Sequence, residues 1–173
     1  LLGTDNPGPA VGLMEETGVL GAILDGPSNL ARFHSLLSLE ASSDALLRYA
    51  ALLDGDMGRV LLLAEKLRFS NKQKERLTTM CGKDVTPGLP PADCRKLLYK
   101  VGKQGFVDQT LLLWSMLGAD ATLDTYLVEA DQWNEPGFPV TGRDLLTHGI
   151  GEGEPLGTLL KKMEESWIAS DFT

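Results

Sequence analysis

Residues 30–53, LARFHSLLSLEASSDALLRYAALL, have the apolar spacing that decides the fold class of this chain. Within them, Leu30, Phe33, Leu36 and Leu37 recur at steps of three and four, which places them on one face of an α-helix. The same spacing continues in Leu46, Leu47, Tyr49, Ala50 and Leu53. No run elsewhere alternates apolar and polar residues for long, and β-branched residues are scattered. We therefore expect an all-α protein.

Helix start signals divide the rest of the chain into short helices. Ser70 with Gln73 forms a capping box, and Thr141 with Asp144 predicts a second one. The segment NEPG at residues 134–137 is the clearest boundary in the sequence, because Pro and Gly both interrupt helices. It predicts an irregular array of short helices before it and a small helical hairpin after it.

Two units follow from this boundary. We assign residues 1–135 to the helical array and residues 136–173 to the terminal hairpin. The turn of the hairpin is the glycine-rich segment at residues 149–153. Backbone N–H groups of such a turn can bind a phosphate, but Glu152 and Glu154 place negative charge beside it, and a tight structural turn is the alternative.

Basic residues are concentrated in one part of a chain whose net charge is −8. Residues 59–103 contain eleven Lys or Arg residues and four acidic residues. Charge segregated in this way can attract a polyanion to one face of an otherwise acidic protein. The alternative is a surface with unevenly distributed charge that contacts only solvent.

The basic helices are the best candidates for phosphate contacts. Lys96, Lys100 and Lys103 follow an i, i+4, i+7 pattern, which predicts one helix face, and Gly102 with Gly105 is expected to end that helix. Such contacts would position a nucleic acid without reading its sequence. The predicted RNA-backbone residues are Arg68, Lys72, Lys74, Arg76, Arg95, Lys96, Lys100, Lys103 and Arg143.

Catalytic and metal-binding motifs are absent from the sequence. There is no Walker loop, dinucleotide fingerprint or G-x-S-x-G elbow, and His34 and His148 lie far apart without neighbouring ligands. Asp54-Gly55-Asp56 has the D-x-D spacing that can hold Mg²⁺, but no strand or glycine-serine turn accompanies it. We interpret it as a helix-to-helix turn and predict no catalytic residue and no metal ligand.

Three stretches resemble one protein family. They are residues 67–72 (LRFSNK), residues 138–172 with their G-x-D-L-L and L-G patterns, and the opening residues 1–24. In these stretches the chain resembles the C-terminal part of bacterial class II tRNA nucleotidyltransferases, that is, the CCA-adding enzymes and related poly(A) polymerases. The resemblance implies the end of the neck, the body and the tail of such an enzyme.

The resemblance also implies that catalysis and tRNA binding lie in different parts of such an enzyme. The family's catalytic head, with its metal-binding D-x-D and nucleotide-selecting motif, is not in this sequence, so Mg²⁺ and ATP or CTP are implied for the head alone and no cofactor for this chain. The implied partners are the acceptor and TψC arms of tRNA and the N-terminal head of the same protein. No apolar run is long enough to span a bilayer, and two cysteines are too few for a disulfide framework, so a cytoplasmic location is expected.

Two further functions are compatible with the composition. An all-α protein-interaction module without an RNA role would use the acidic surface to bind other proteins. A free-standing helical-hairpin DNA binder is the third possibility, and the single, acid-flanked hairpin argues against it.

Overall fold

The computed structural model describes residues 1–147, 151 and 153–173. These residues form ten α-helices and no strand, which confirms the all-α prediction. The helices are α1 (Gly8–Glu16), α2 (Val19–Leu24), α3 (Leu30–Leu39), α4 (Ala45–Leu52), α5 (Met57–Lys66), α6 (Asn71–Met80), α7 (Pro91–Leu117), α8 (Ala121–Gln132), α9 (Gly142–Thr147) and α10 (Glu154–Ala169). No helix of this described part is long and apolar enough to cross a membrane.

Helix α7 is the centre of the fold, because α3, α4, α6 and α8 all pack against it. Its Trp114 is fully buried, and the Trp114 ring meets Tyr126 of α8 at 5.1 Å between centroids. Phe106 of α7 meets the same tyrosine at 5.9 Å. Farther back along α7, Lys103 pairs with Asp131 at the C-terminal end of α8. The two helices therefore run antiparallel.

Two glycines of α7 behave differently from the expectation that both would end a helix. Gly102 has φ 75° and ψ 158°, so it does interrupt the helix, but α7 resumes at once on the other side of this kink. Gly105 lies inside the resumed helix and is buried. A Cβ at Gly105 would meet Thr79 Cγ2 of α6 at 2.5 Å, so this glycine allows the close packing of α6 on α7.

Both predicted capping boxes are present. Ser70 accepts from the backbone N–H of Gln73, and Gln73 Oε1 accepts from the N–H of Ser70, at the start of α6. Asp144 accepts from the backbone and hydroxyl of Thr141 at the start of α9. The Asp54-Gly55-Asp56 segment is a turn between α4 and α5, as interpreted, and Asp56 caps α5 by accepting from Arg59 N–H.

Residues 133–141 contain no helix and connect α8 to the tail helices α9 and α10. No residue of α10 is fully buried. The tail nevertheless meets the body, because Trp167 and Phe172 pack against Tyr99 of α7. The division at residues 135 and 136 stays a prediction. Of the predicted glycine turn at residues 149–153, the residues 149, 150 and 152 lie outside the described residues, as does His148.

Candidate nucleic-acid interface

Arg76 is a structural residue in this fold. Its guanidinium donates from Nε to Asp108 Oδ2 and from Nη2 to Asp108 Oδ1, both at 2.9 Å. It also pairs with Asp44 at 2.5 Å. These carboxylates hold the pKa of Arg76 above its usual range. A phosphate at the Nε–Nη2 edge of Arg76 would have to displace a carboxylate that is almost completely buried, since Asp108 is 1% exposed.

Four predicted lysines form ion pairs that are wholly or partly exposed. Lys74 pairs with Glu65, Lys96 with Asp93, Lys100 with Asp84 and Lys103 with Asp131, at 2.7, 3.1, 2.7 and 3.4 Å. The hydrogen bond from Lys100 lowers the pKa of Asp84. Pairs of this kind are weak and exchangeable.

The lysines of α7 do not share the single face that their spacing predicted. Lys100 reaches Asp84 in the loop before α7, whereas Lys103 reaches Asp131 at the end of α8. The kink at Gly102 lies between these two lysines and breaks the helical register on which the spacing argument depended.

Arg95 joins the body to the tail. Its Nε and Nη2 both donate to the carboxylate of Asp171, and its Nη1 reaches Glu129 Oε1 at 3.3 Å. The hydrogen bond from Arg95 is the main reason that the pKa of Asp171 is lowered. Arg95 is therefore already occupied by carboxylates in this conformation.

The remaining predicted cations, Arg68, Lys72 and Arg143, are exposed. Within the described residues their side chains make no hydrogen bond or ion pair. Arg68 and Lys72 lie together at the α5–α6 turn, where Arg68 adopts φ 58° and its N–H donates to Glu65 O. Ser70, the N-cap of α6, lies between them.

Lys83 is a free cation that was not among the predicted site residues. It is exposed in the loop after α6 and, in the described structure, makes no side-chain contact to an acid. The only signal for it in the sequence is its position inside the basic stretch at residues 59–103. Arg68, Lys72 and Lys83 are thus the cations of that stretch whose side chains, in the described structure, make neither an ion pair nor a hydrogen bond, so a phosphate can contact them without breaking an internal bond. We call them the free cations.

The described part of the chain contains no cluster of metal-binding side chains, and both of its cysteines are buried. No group of three His, Cys, Asp or Glu side chains there could hold a metal ion. Cys81 and Cys94 are free and buried. Burial raises the pKa of Cys81 to about 11, which keeps it a thiol at neutral pH. His34, on α3, is exposed.

Comparison with known proteins gives one partial similarity. The matched stretch covers 46 residues and is 41% identical to "CCA tRNA nucleotidyltransferase 1, mitochondrial" of Mus musculus and, equally, of Homo sapiens. Part of this chain is similar to a CCA tRNA nucleotidyltransferase. The match covers 27% of this chain and 11% of each relative.

This similarity supports a relationship between part of this chain and the tRNA nucleotidyltransferases, without indicating which class of these enzymes. The matched stretch corresponds to about a tenth of the length of the curated relatives, and both are mammalian proteins. No family model matches the chain, and no solved structure is significantly similar to it.

Proposed function

We propose that this chain is the tRNA-binding C-terminal region of a tRNA nucleotidyltransferase and that it holds the acceptor and TψC arms of tRNA. The similarity to the CCA tRNA nucleotidyltransferases of mouse and human is the observation that carries this proposal. The structure supports it with the free cations Arg68, Lys72 and Lys83, which can contact phosphates without disturbing the fold.

The proposal assigns the chemistry to another part of the protein. Addition of CCA or of A would take place in a catalytic head that binds Mg²⁺ and ATP or CTP. The proposal also includes membership of the bacterial class II enzymes. It assigns the choice between CCA and poly(A) addition to the catalytic head. The chain's own contribution is to bind the RNA backbone, and Arg143 on α9 can add a contact from the tail.

A salt titration with fluorescein-labelled tRNA tests the proposal on the chain of 173 residues. Three phosphate contacts predict a log–log slope of about −2 to −3, because each contact releases about 0.7–0.9 of a counterion. If the exposed ion pairs of Lys96, Lys100 and Lys103 exchange to phosphate, the slope becomes steeper. Absence of binding at low salt, or a flat salt response, overturns the proposal.

An apolar groove of about 290 Å³ favours a second candidate function, the protein-interaction module. Leucines of the N-terminal segment and α2 line it together with Tyr49 of α4 and Phe69 of the α5–α6 turn. Leu1, at 58% exposed, and Ile23, at 41%, leave apolar surface open beside it. Absence of RNA binding at low salt would favour this candidate.

A further inference from the structure

The tail covers a face of α7 whose side chains are suited to bind RNA. This face presents Arg95, Lys96 and Tyr99, with Trp133 beside it at the end of α8. Cations interleaved with aromatic rings are the usual composition of surfaces that bind unpaired nucleotides, because phosphates pair with the cations and bases stack on the rings. We call these four residues the covered face.

Two acidic side chains of the tail occupy the polar groups of the covered face. Asp171 accepts two hydrogen bonds from the Nε–Nη2 edge of Arg95. Glu164 accepts a hydrogen bond from the hydroxyl of Tyr99 at 2.6 Å and raises the pKa of that tyrosine to about 12. The fork of an arginine fits a phosphate in the same two-point geometry as a carboxylate. Glu129 engages only Nη1 of Arg95, so the Nε–Nη2 edge becomes available when Asp171 leaves.

Aromatic rings of the tail contact the rings of the covered face, tilted or edge-on, and so cover the ring faces on which bases could stack. Phe172 lies 5.5 Å from Tyr99 and 5.6 Å from Trp133 between ring centroids. Trp167 meets Tyr99 edge-on at 5.8 Å. The tail therefore presents to the covered face both of the groups that an RNA strand presents, an anion and planar rings.

These contacts between the tail and the covered face are weak enough to be replaced by contacts to RNA. Arg95 and Asp171 are about one-third exposed, so their pair is screened by solvent and salt. Asp171 and Phe172 have φ values of 59° and 66°. This left-handed conformation is unfavourable for a bulky residue, and the backbone strain is relieved when the end of the tail leaves α7. The helix α10 has no fully buried residue to hold it.

We propose that the covered face is a second RNA-binding surface, specific for unpaired nucleotides, and that Asp171, Glu164 and Phe172 compete with RNA for it. Binding of a single strand exchanges the Arg95–Asp171 pair for an Arg95–phosphate pair and displaces the end of the tail. This inference rests on the proposed RNA-binding function and adds to it a site that the free cations do not include.

The first test compares two variants of equal charge. Asp171→Asn removes the competing carboxylate, and Asn tolerates the left-handed backbone at this position. Glu165→Gln also removes one negative charge from the tail, but the ion pair that Glu165 forms within the described residues is with Lys161, at 4.0 Å. With fluorescein-labelled oligoadenylate as the probe, we expect Asp171→Asn to raise the affinity about two- to fivefold over Glu165→Gln at low salt, as expected for loss of an exposed pair.

The second test follows the tail in the unmodified chain. Amide hydrogen exchange of Phe172, whose N–H donates to Trp167 O at 2.9 Å, reports whether the end of the tail is docked. Saturating oligoadenylate should accelerate this exchange. Exchange in α3, far along the chain and inside the core, serves as the internal control and should not change.

The outcomes separate this inference from the proposed function. Equal affinities of the two variants, with unchanged exchange at Phe172 while RNA is bound, would overturn the second surface and leave RNA binding intact. Failure of both tRNA and oligoadenylate to bind at low salt would overturn both. Tighter binding by Asp171→Asn together with faster exchange at Phe172 supports the covered face.

Discussion

Arg76 on α6 and Asp108 on α7 form a two-point ion pair, with both N–O distances at 2.9 Å, that links the two helices through the interior. The sequence placed Arg76 among the RNA-binding candidates because it belongs to the basic stretch at residues 59–103. Its role in the structure is to neutralise a carboxylate that burial would otherwise destabilise, since desolvation is the main reason that the pKa of Asp108 is raised.

Replacement of Arg76 by Ala should therefore destabilise the fold by about 2–3 kcal/mol, because it leaves Asp108 buried without its partner. Urea unfolding measures this. Lys74→Ala is the matched control on the same helix, and its exposed pair with Glu65 predicts a loss below about 1 kcal/mol. Equal effects of the two substitutions would contradict the structural role of Arg76.

The loss in Arg76→Ala should also grow with pH. The folded-state pKa of Asp108 is raised, so this group favours folding most below its ordinary value of 3.8, and that contribution is lost as pH rises through the folded pKa. Removal of Arg76 raises the pKa of Asp108 further. Urea unfolding at pH 5 and at pH 8 should show the greater destabilisation at pH 8.

Reversal of Arg68 and Lys72 to Glu should weaken tRNA binding and reduce the log–log salt slope by about 2, because each phosphate that a side chain neutralises contributes about 1 to that slope. Both side chains are exposed and unpaired in the described structure, so thermal stability should be unchanged. The double variant Lys161→Glu with Lys162→Glu makes the same change in net charge on the tail. If it weakens binding equally, only long-range charge matters and the α5–α6 turn does not touch the RNA.

Gly105→Ala should destabilise the protein by about 1–3 kcal/mol, because the new methyl group would overlap Thr79 Cγ2. Gly12→Ala, in the interior of α1, is the control. Its Cβ meets nothing within 4 Å, and alanine is favoured in helices, so we expect about 0.5–1 kcal/mol of stabilisation. Thermal unfolding of both variants measures the difference, and a neutral Gly105→Ala would show that α6 and α7 can move apart freely.

Asp120 should contribute to stability in a pH-dependent way. It accepts from Trp114 Nε1 at 2.8 Å and caps α8, and the hydrogen bond from Trp114 is the main cause of its lowered pKa. A lowered folded-state pKa stabilises the fold above the ordinary value of 3.8 and is lost as pH falls through the folded pKa. Acid unfolding of Asp120→Asn should show a smaller loss of stability between pH 5 and pH 2 than the unmodified chain. Parallel curves would contradict this role.

Local sequence determined the helical class, the caps and the turns of this protein. Apolar residues at steps of three and four, the Ser70–Gln73 and Thr141–Asp144 boxes and the Asp54-Gly55-Asp56 turn all depend on neighbours within a few residues. Interactions over that range are set by backbone geometry and are readable without a fold. The concentration of positive charge in residues 59–103 was equally visible.

Only the tertiary structure decided which of those charges are available. Arg76 meets Asp108, and Arg95 meets Asp171, over separations of 32 and 76 residues, and no periodicity encodes such pairs. The kink at Gly102 places Lys100 and Lys103 on different faces, because one non-helical residue changes the direction of the helix that follows it. Whether a cation binds RNA or holds the fold together depends on which carboxylate packing brings to it, and packing is a property of the whole chain.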